Sequence, residues 1–251
     1  MKIKHFVLFI TFIVLISCSS SSYKVSKIEG SKIEINDKIT TISSYDDYIK
    51  PYRDHINKDL DSVLAYSSET LDKSKGQWQT NIGNFMADIC FEKAALLFEK
   101  RHQKKLNVCL LNHGGIRSII PKGKITTRTA FEVMPFENSI VVIALKGEQI
   151  EEMASYFISE KKPHPISGVK IYIDSDNLIQ RILIQNKPLD KSAIYYVATS
   201  DYLSNGGDNM AFFQKNEDVY DLDYKIRNIL IDYFKEVDTL KVSSENRIII
   251  N

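Results

Sequence analysis

The sequence predicts an α+β fold, a mixed-sheet sandwich with helices. Three observations predict it. Residues 80–101 place apolar side chains at helical spacing over a broad face, including Ile82, Phe85, Met86, Ile89, Ala94, Leu97 and Phe98. Residues 108–111 and 140–145 are short unbroken apolar runs, which read as buried strands. Residues 169–173 and 179–184 alternate about a turn at 174–177, which pairs them as a hairpin. Strands and helices do not alternate strictly, so the mixed sandwich is favoured over a doubly wound sheet.

The N-terminus is a leader. Met1-Lys2-Ile3-Lys4 is basic, and the apolar run at 6–16 is too short to span a bilayer as a helix. Leu15-Ile16-Ser17-Cys18 then resembles a bacterial lipoprotein cleavage site. That resemblance implies a signal peptide over 1–17, a lipidated N-terminus at Cys18 and a tether at Ser19 to Ser22. The protein is then expected to be lipid-anchored to the membrane of a bacterial cell envelope, the outer membrane in a Gram-negative cell. An ordinary secretory signal with an incidental cysteine is the other reading.

Residues 18–43 are read as tether and small hairpin, with turn signals at Glu29-Gly30 and Asn36-Asp37. Residues 44–251 form the remaining domain. Tyr48, Tyr52, Ile56, Leu60, Val63 and Leu64 recur at helical spacing, so a helix is expected over 45–64, broken or begun at Pro51. Residues 67–77 are polar and loop-like. After the helix at 80–101 and the strand at 108–111, a strand edge at 125–131 leads into a short helix, and 135–138 is a turn. The strand 140–145 is followed by a helix over 148–158, opened by Gly147. Beyond the paired strands come a strand at 195–199, a helix at 222–237 and a closing strand at 247–250.

Composition removes several functions. Lys and Arg number 33 against 32 Asp and Glu, so no global field argues for a nucleic-acid partner. The five histidines form no Asp-x-His or His-x-His pair, which argues against a dinuclear metal centre in this chain. Neither a Gly-x-Ser-x-Gly elbow nor a phosphate-binding Gly-x-x-x-x-Gly-Lys loop occurs. Cys90 on a helical face and Cys109 in a strand read as buried thiols, and in an exported protein a disulfide stays open to them. Cys109 and His113 are poorly spaced for a nucleophilic dyad, because the strand ends between them.

Two motifs offer a binding site instead. Asn112-His113-Gly114-Gly115-Ile116-Arg117 and Asp201-Tyr202-Leu203-Ser204-Asn205-Gly206-Gly207-Asp208 each follow a strand and carry paired glycines beside a charge. Asn112 can donate and accept at once, as a base edge or sugar requires. Arg117 offers a planar fork suited to phosphate, and Asp208 can accept from two vicinal hydroxyls. Phe136, after a proline in a turn, and Tyr202, at a strand end, are rings placed for stacking. Two aromatics, a carboxylate and a guanidinium together describe a nucleotide.

These residues carry a resemblance. Asn-x-Gly-Gly-Ile-Arg, then Pro-Phe-x-Asn with Leu-x-Gly, then Leu-x-x-Gly-Gly-Asp, spread over about 80–213, resemble the C-terminal domain of the 5'-nucleotidases and UDP-sugar hydrolases. The resemblance implies that Phe136 and Tyr202 sandwich the base, with Tyr where the family usually has Phe. It implies Asn112 and Gly114 beside the nucleoside, Arg117 at phosphate and Asp208 at the ribose; Gly168, in Ile166-Ser167-Gly168-Val169, would lie near the pocket. Many members carry a further phosphate-binding arginine before the helix at about 81. Here that stretch reads Lys75-Gly76-Gln77-Trp78-Gln79, where Lys75 offers a point charge without the fork.

In that family an N-terminal metallophosphatase domain holds two metals and cleaves the ester. Only leader, hairpin and helix precede the match here. The expectation is therefore the nucleotide-binding half of a split phosphomonoester hydrolase acting in nucleotide catabolism. No cofactor is expected in this chain, its divalent metals belonging to a separate metallophosphatase subunit. The alternative is a non-enzymatic surface lipoprotein that captures nucleosides or nucleotides for uptake.

Overall fold

The computed structural model describes residues 23–36, 38–40 and 42–250, together with Ile3 and His5. The lipidation site expected at Cys18, the tether expected at Ser19 to Ser22 and the apolar run at 6–16 lie outside the described residues. Among the described residues no helix is long and apolar enough to cross a membrane. The chain divides into two compact units, Met1–Ile49 and Lys50–Asn251.

The hairpin expected before residue 43 does not form: residues 23–36 contain no strand. The turn signal at Asn36 is real, since the Lys38 and Ile39 N–H groups donate to its side chain and carbonyl. What is lacking is a surface to cover the strands. Ile28, Ile33 and Ile35 are all exposed, and a lone two-stranded ribbon is marginal in water.

Helix α1 (Ser43–Leu60) runs through Pro51 and stops four residues short of the expected end. Val63 and Leu64 instead open strand β1 (Val63–Ser67), which pairs antiparallel with β3 (Gly123–Thr126). Helix α2 (Asn81–His102) starts at Thr80, whose side chain accepts from the Gly83 N–H and caps it.

The centre is a five-stranded mixed sheet in the order β10-β4-β9-β2-β5. It comprises β2 (Val108–Leu110), β4 (Ser139–Lys146), β5 (Ile166–Ser167), β9 (Ile194–Ser200) and β10 (Asp218–Lys225). Only β2 and β9 are parallel neighbours; β4 runs antiparallel to β9. A second sheet, in the order β11-β6-β7-β8, comprises β6 (Val169–Ile173), β7 (Ile179–Ile184), β8 (Lys187–Pro188) and β11 (Ile248–Ile250).

Strand β4 shows why residues 140–145 are apolar without a break. Ile140 and Val142 face a core built with Phe85, Phe98, Ile229 and Phe234, under α2 and α6 (Ile226–Glu236). Val141, Ile143 and Leu145 face a second core with Ile150, Phe157, Ile171 and Ile184, under α4 (Gly147–Glu160) and the smaller sheet. Both faces are covered, so alternation disappears. One boundary was misread: residues 222–225 belong to β10, not to the following helix. Leu222 is buried between exposed Asp221 and Asp223, a strand pattern, yet its spacing of four from Ile226 mimics a helical face.

Candidate functional site

Topology brings three loops to one edge of the central sheet. β2 and β9 are parallel, with Val108 opposite Val197, so both deliver their following residues to the same end. β4 is antiparallel, and Ile140 opposite Ser200 brings its preceding turn to that end too. The three loops enclose a cavity of about 400 Å³. Asn112, Gly114, Arg117, Phe136, Tyr202 and Asp208 all line it, with Leu111, Met134, Asn138, Ser200 and Ile226. Six of the seven substrate-site residues expected from the sequence therefore share one cavity.

The two rings remain open to a ligand, at 42% exposure for Phe136 and 48% for Tyr202. Tyr202 lies in the short helix α5 (Asp201–Ser204), and its ring rests over the backbone of Gly207. A Cβ there would meet the ring at 2.5 Å, so only glycine permits this close approach. The Phe136 turn is clamped from behind by the β10–α6 junction. Lys225 Nζ donates to the Glu137 carbonyl at 2.7 Å, and the Ile226 N–H to the Asn138 carbonyl at 3.0 Å. Buried Arg227 donates to the Phe136 carbonyl at 3.2 Å, pairs with the Glu137 carboxylate and stacks over Phe131.

Asp208 is held on every polar atom. Its Oδ2 accepts from Asn112 Nδ2 at 2.7 Å and its Oδ1 from the Tyr202 hydroxyl at 2.9 Å. Its N–H donates back to the Tyr202 oxygen at 3.2 Å, and its carbonyl accepts from the Tyr156 hydroxyl at 2.7 Å. An ionised carboxylate has about four acceptor sites, so two remain for a ligand.

Arg117 is exposed, with its guanidinium carbon 5.9 Å from the Phe136 ring centroid and Nη1 donating to the Gly114 carbonyl at 3.3 Å. The neighbouring cation is Lys73, not Lys75. Lys73 Nζ donates to the Ile116 carbonyl at 2.6 Å, and burial together with Arg117 lowers its pKa. Lys75 lines a separate cleft with Glu69 and Asp72.

Gly168 does not belong to this cavity. It lies at φ +81° between β5 and β6, and a Cβ would meet the Asn107 carbonyl oxygen at 2.2 Å. Its polar neighbours form another cleft, where Arg247 pairs with Asp88 at 2.6 Å and Ser167 donates to the same carboxylate at 2.7 Å. Gly168 meets a backbone need there, with no contact to the cavity the resemblance implied for it.

Next to the cavity, His164 is buried, and burial brings its imidazole down to about 4. Its Nδ1 accepts from the His113 N–H at 3.2 Å, so the neutral ring carries its proton on Nε2. Cys90 and Cys109 are both free and buried, and burial pushes the Cys90 thiol up to about 12 and Cys109 higher still than its ordinary value. Neither thiol is a nucleophile at neutral pH. Among the described residues no three His, Cys, Asp or Glu side chains are grouped to hold a metal ion. Sequence reasoning missed Lys73, Tyr156 and Arg227, which reach the site from distant elements.

Comparison with known proteins agrees with this architecture. The family model described as 5'-nucleotidase, C-terminal domain, matches residues 63–215. An apyrase of Tabanus yao is 23% identical over 240 residues, covering 87% of this chain and 43% of its own. The trifunctional nucleotide phosphoesterase protein YfkN of Bacillus subtilis is 28% identical over 205 residues, covering 73% of this chain and 14% of its own. The chain therefore spans less than half the length of these relatives. The structure of a 5'-nucleotidase precursor from Thermus thermophilus superposes with a TM-score of 0.70 at 24% identity, covering 83% of this chain and 43% of that one, a likeness of fold.

Proposed function

The chain belongs to the 5'-nucleotidase C-terminal domain family, and from that membership we propose that it is the nucleotide-recognition half of a phosphomonoester hydrolase. The metal-bearing catalytic domain is assigned to a separate polypeptide. One observation carries the reading: two exposed rings, a carboxylate with acceptor capacity to spare and an exposed guanidinium line a single cavity.

In this reading Phe136 and Tyr202 hold the base between their faces, while Asn112 and Gly114 lie against the nucleoside. Asp208 accepts from the ribose hydroxyls. Arg117 takes the phosphate through paired N–H donors and presents it outward. Orientation of this kind lowers the entropic part of the barrier; the partner's metals supply the activated water. Anchoring through a lipid on Cys18 would keep the pair at the cell envelope.

Titration calorimetry with AMP and adenosine tests the binding. Heat with both, stronger for AMP and weakened for AMP alone in Arg117→Ala, is the expected result. No heat with either ligand overturns the reading. Adding this chain to a candidate metallophosphatase is expected to raise AMP turnover; strong metal-dependent turnover by this chain alone contradicts the division of labour.

A further inference from the structure

We propose that Tyr156 is a positioning residue for Asp208, and that through it the cavity tells a ribonucleoside from its 2'-deoxy counterpart. The inference rests on the nucleoside reading above and adds a residue from outside the motif-bearing loops. Tyr156 lies on α4, and Asp208 lies in a 3-10 turn, Gly207–Asn209.

Asp208 has φ +52°, the left-handed region that a residue with a Cβ enters only when its surroundings hold it there. Four hydrogen bonds from three side chains do so. Asn112 and Tyr202 fix the carboxylate, and Tyr202 also takes the N–H, but Asn112 belongs to a loop and Tyr202 to the four-residue helix α5 at the cavity rim. Tyr156 alone ties the residue to a long helix, through a 2.7 Å bond to the main-chain carbonyl.

The Tyr156 ring is itself seated. Its centroid lies 5.7 Å from Phe212 and 5.8 Å from His164, both buried. Burial pushes its phenol up to about 12, so the hydroxyl stays a donor at neutral pH. Losing that donor frees the Asp208 carbonyl and lets the main chain drift. Both carboxylate oxygens then move relative to Phe136, which is fastened independently through Arg227. A vicinal diol, which needs both oxygens, feels the drift; a deoxyribose with one hydroxyl there feels less.

The experiment is calorimetry of the full chain and of Tyr156→Phe, which keeps the ring and removes only the hydroxyl, with adenosine and 2'-deoxyadenosine. We expect adenosine to weaken about 3- to 10-fold and 2'-deoxyadenosine less than about 2-fold, collapsing the ratio between them. Phe212→Leu, which loosens the seat without touching the hydroxyl, should shrink the ratio partway and serves if Tyr156→Phe does not fold. Equal losses for the two ligands, or no change for either, overturn the inference while leaving the nucleoside reading intact. A wild-type chain that binds neither ligand overturns both.

Discussion

Two polar clusters flank strand β2, and they behave as opposites. Around Gly168, Arg247 is 4% exposed and its donors go to Asp88 and to the carbonyls of Ile166 and Asn84, while Ser167 donates to the same carboxylate. That cluster is closed by its cation, whose donors are spent within the protein. Around Asp208, Asn112, Tyr202 and Tyr156 satisfy the residue's backbone and only part of its carboxylate, and exposed rings stand next to it. Both clusters sit beside a glycine, and both contain a charge. A buried cation whose donors are spent on protein acceptors stabilises a fold, whereas free acceptors beside exposed apolar surface and an exposed guanidinium are able to take a ligand.

If that distinction is sound, the largest effect comes from opening the closed cluster. Arg247→Ala strands the Asp88 carboxylate and two carbonyls, and should cost about 3 kcal/mol of stability in urea unfolding, while nucleoside affinity of the folded protein stays within about 2-fold. A loss of affinity as large as the loss of stability would erase the difference between the clusters.

A comparable effect sharpens the boundary of the open one. His164 faces His113, Lys162, Glu160 and Asp208 beneath it. Its folded value of about 4 lies below an ordinary 6.5 because burial disfavours the charged ring. The unfolded chain therefore binds the extra proton between those values. Stability is fully present above about pH 6.5 and falls as the pH drops toward 4, by roughly 3 kcal/mol in all. Unfolding midpoints measured across that window should decline, and decline less steeply in His164→Gln.

The smallest effect on stability should be the most selective. Phe136→Ala removes a ring that is 42% exposed, so unfolding should change by less than about 1 kcal/mol. Nucleoside affinity should fall by about 1–3 kcal/mol, the contribution of one base on one ring. Equal binding by the variant would make Phe136 ordinary surface.

Legibility in the sequence followed the range of the forces involved. The helix at 81–102 was readable because its apolar face is local, whereas its cap at Thr80 was not read from the sequence. The strands read at 108–111 and 140–145 were legible because burial on both faces leaves continuous apolar runs. Leu222 was misread because one apolar residue four before a helix fits either period. In the site, Asn112, Arg117, Tyr202 and Asp208 announced themselves through glycine pairs at strand ends. Gly168 was expected at the pocket from the resemblance alone, and its left-handed backbone serves the β5–β6 connection instead. Lys73, Tyr156 and Arg227 act across 43, 52 and 91 residues of sequence respectively. Nothing local marks such partners, since only the folded topology makes them neighbours.

The grip of Lys225, Ile226 and Arg227 on the turn at 134–138 has one more consequence. A platform fixed before its guest arrives spares the guest the entropy of ordering a loop. Association should then proceed in a single concentration-dependent phase, with no slow rearrangement trailing the encounter.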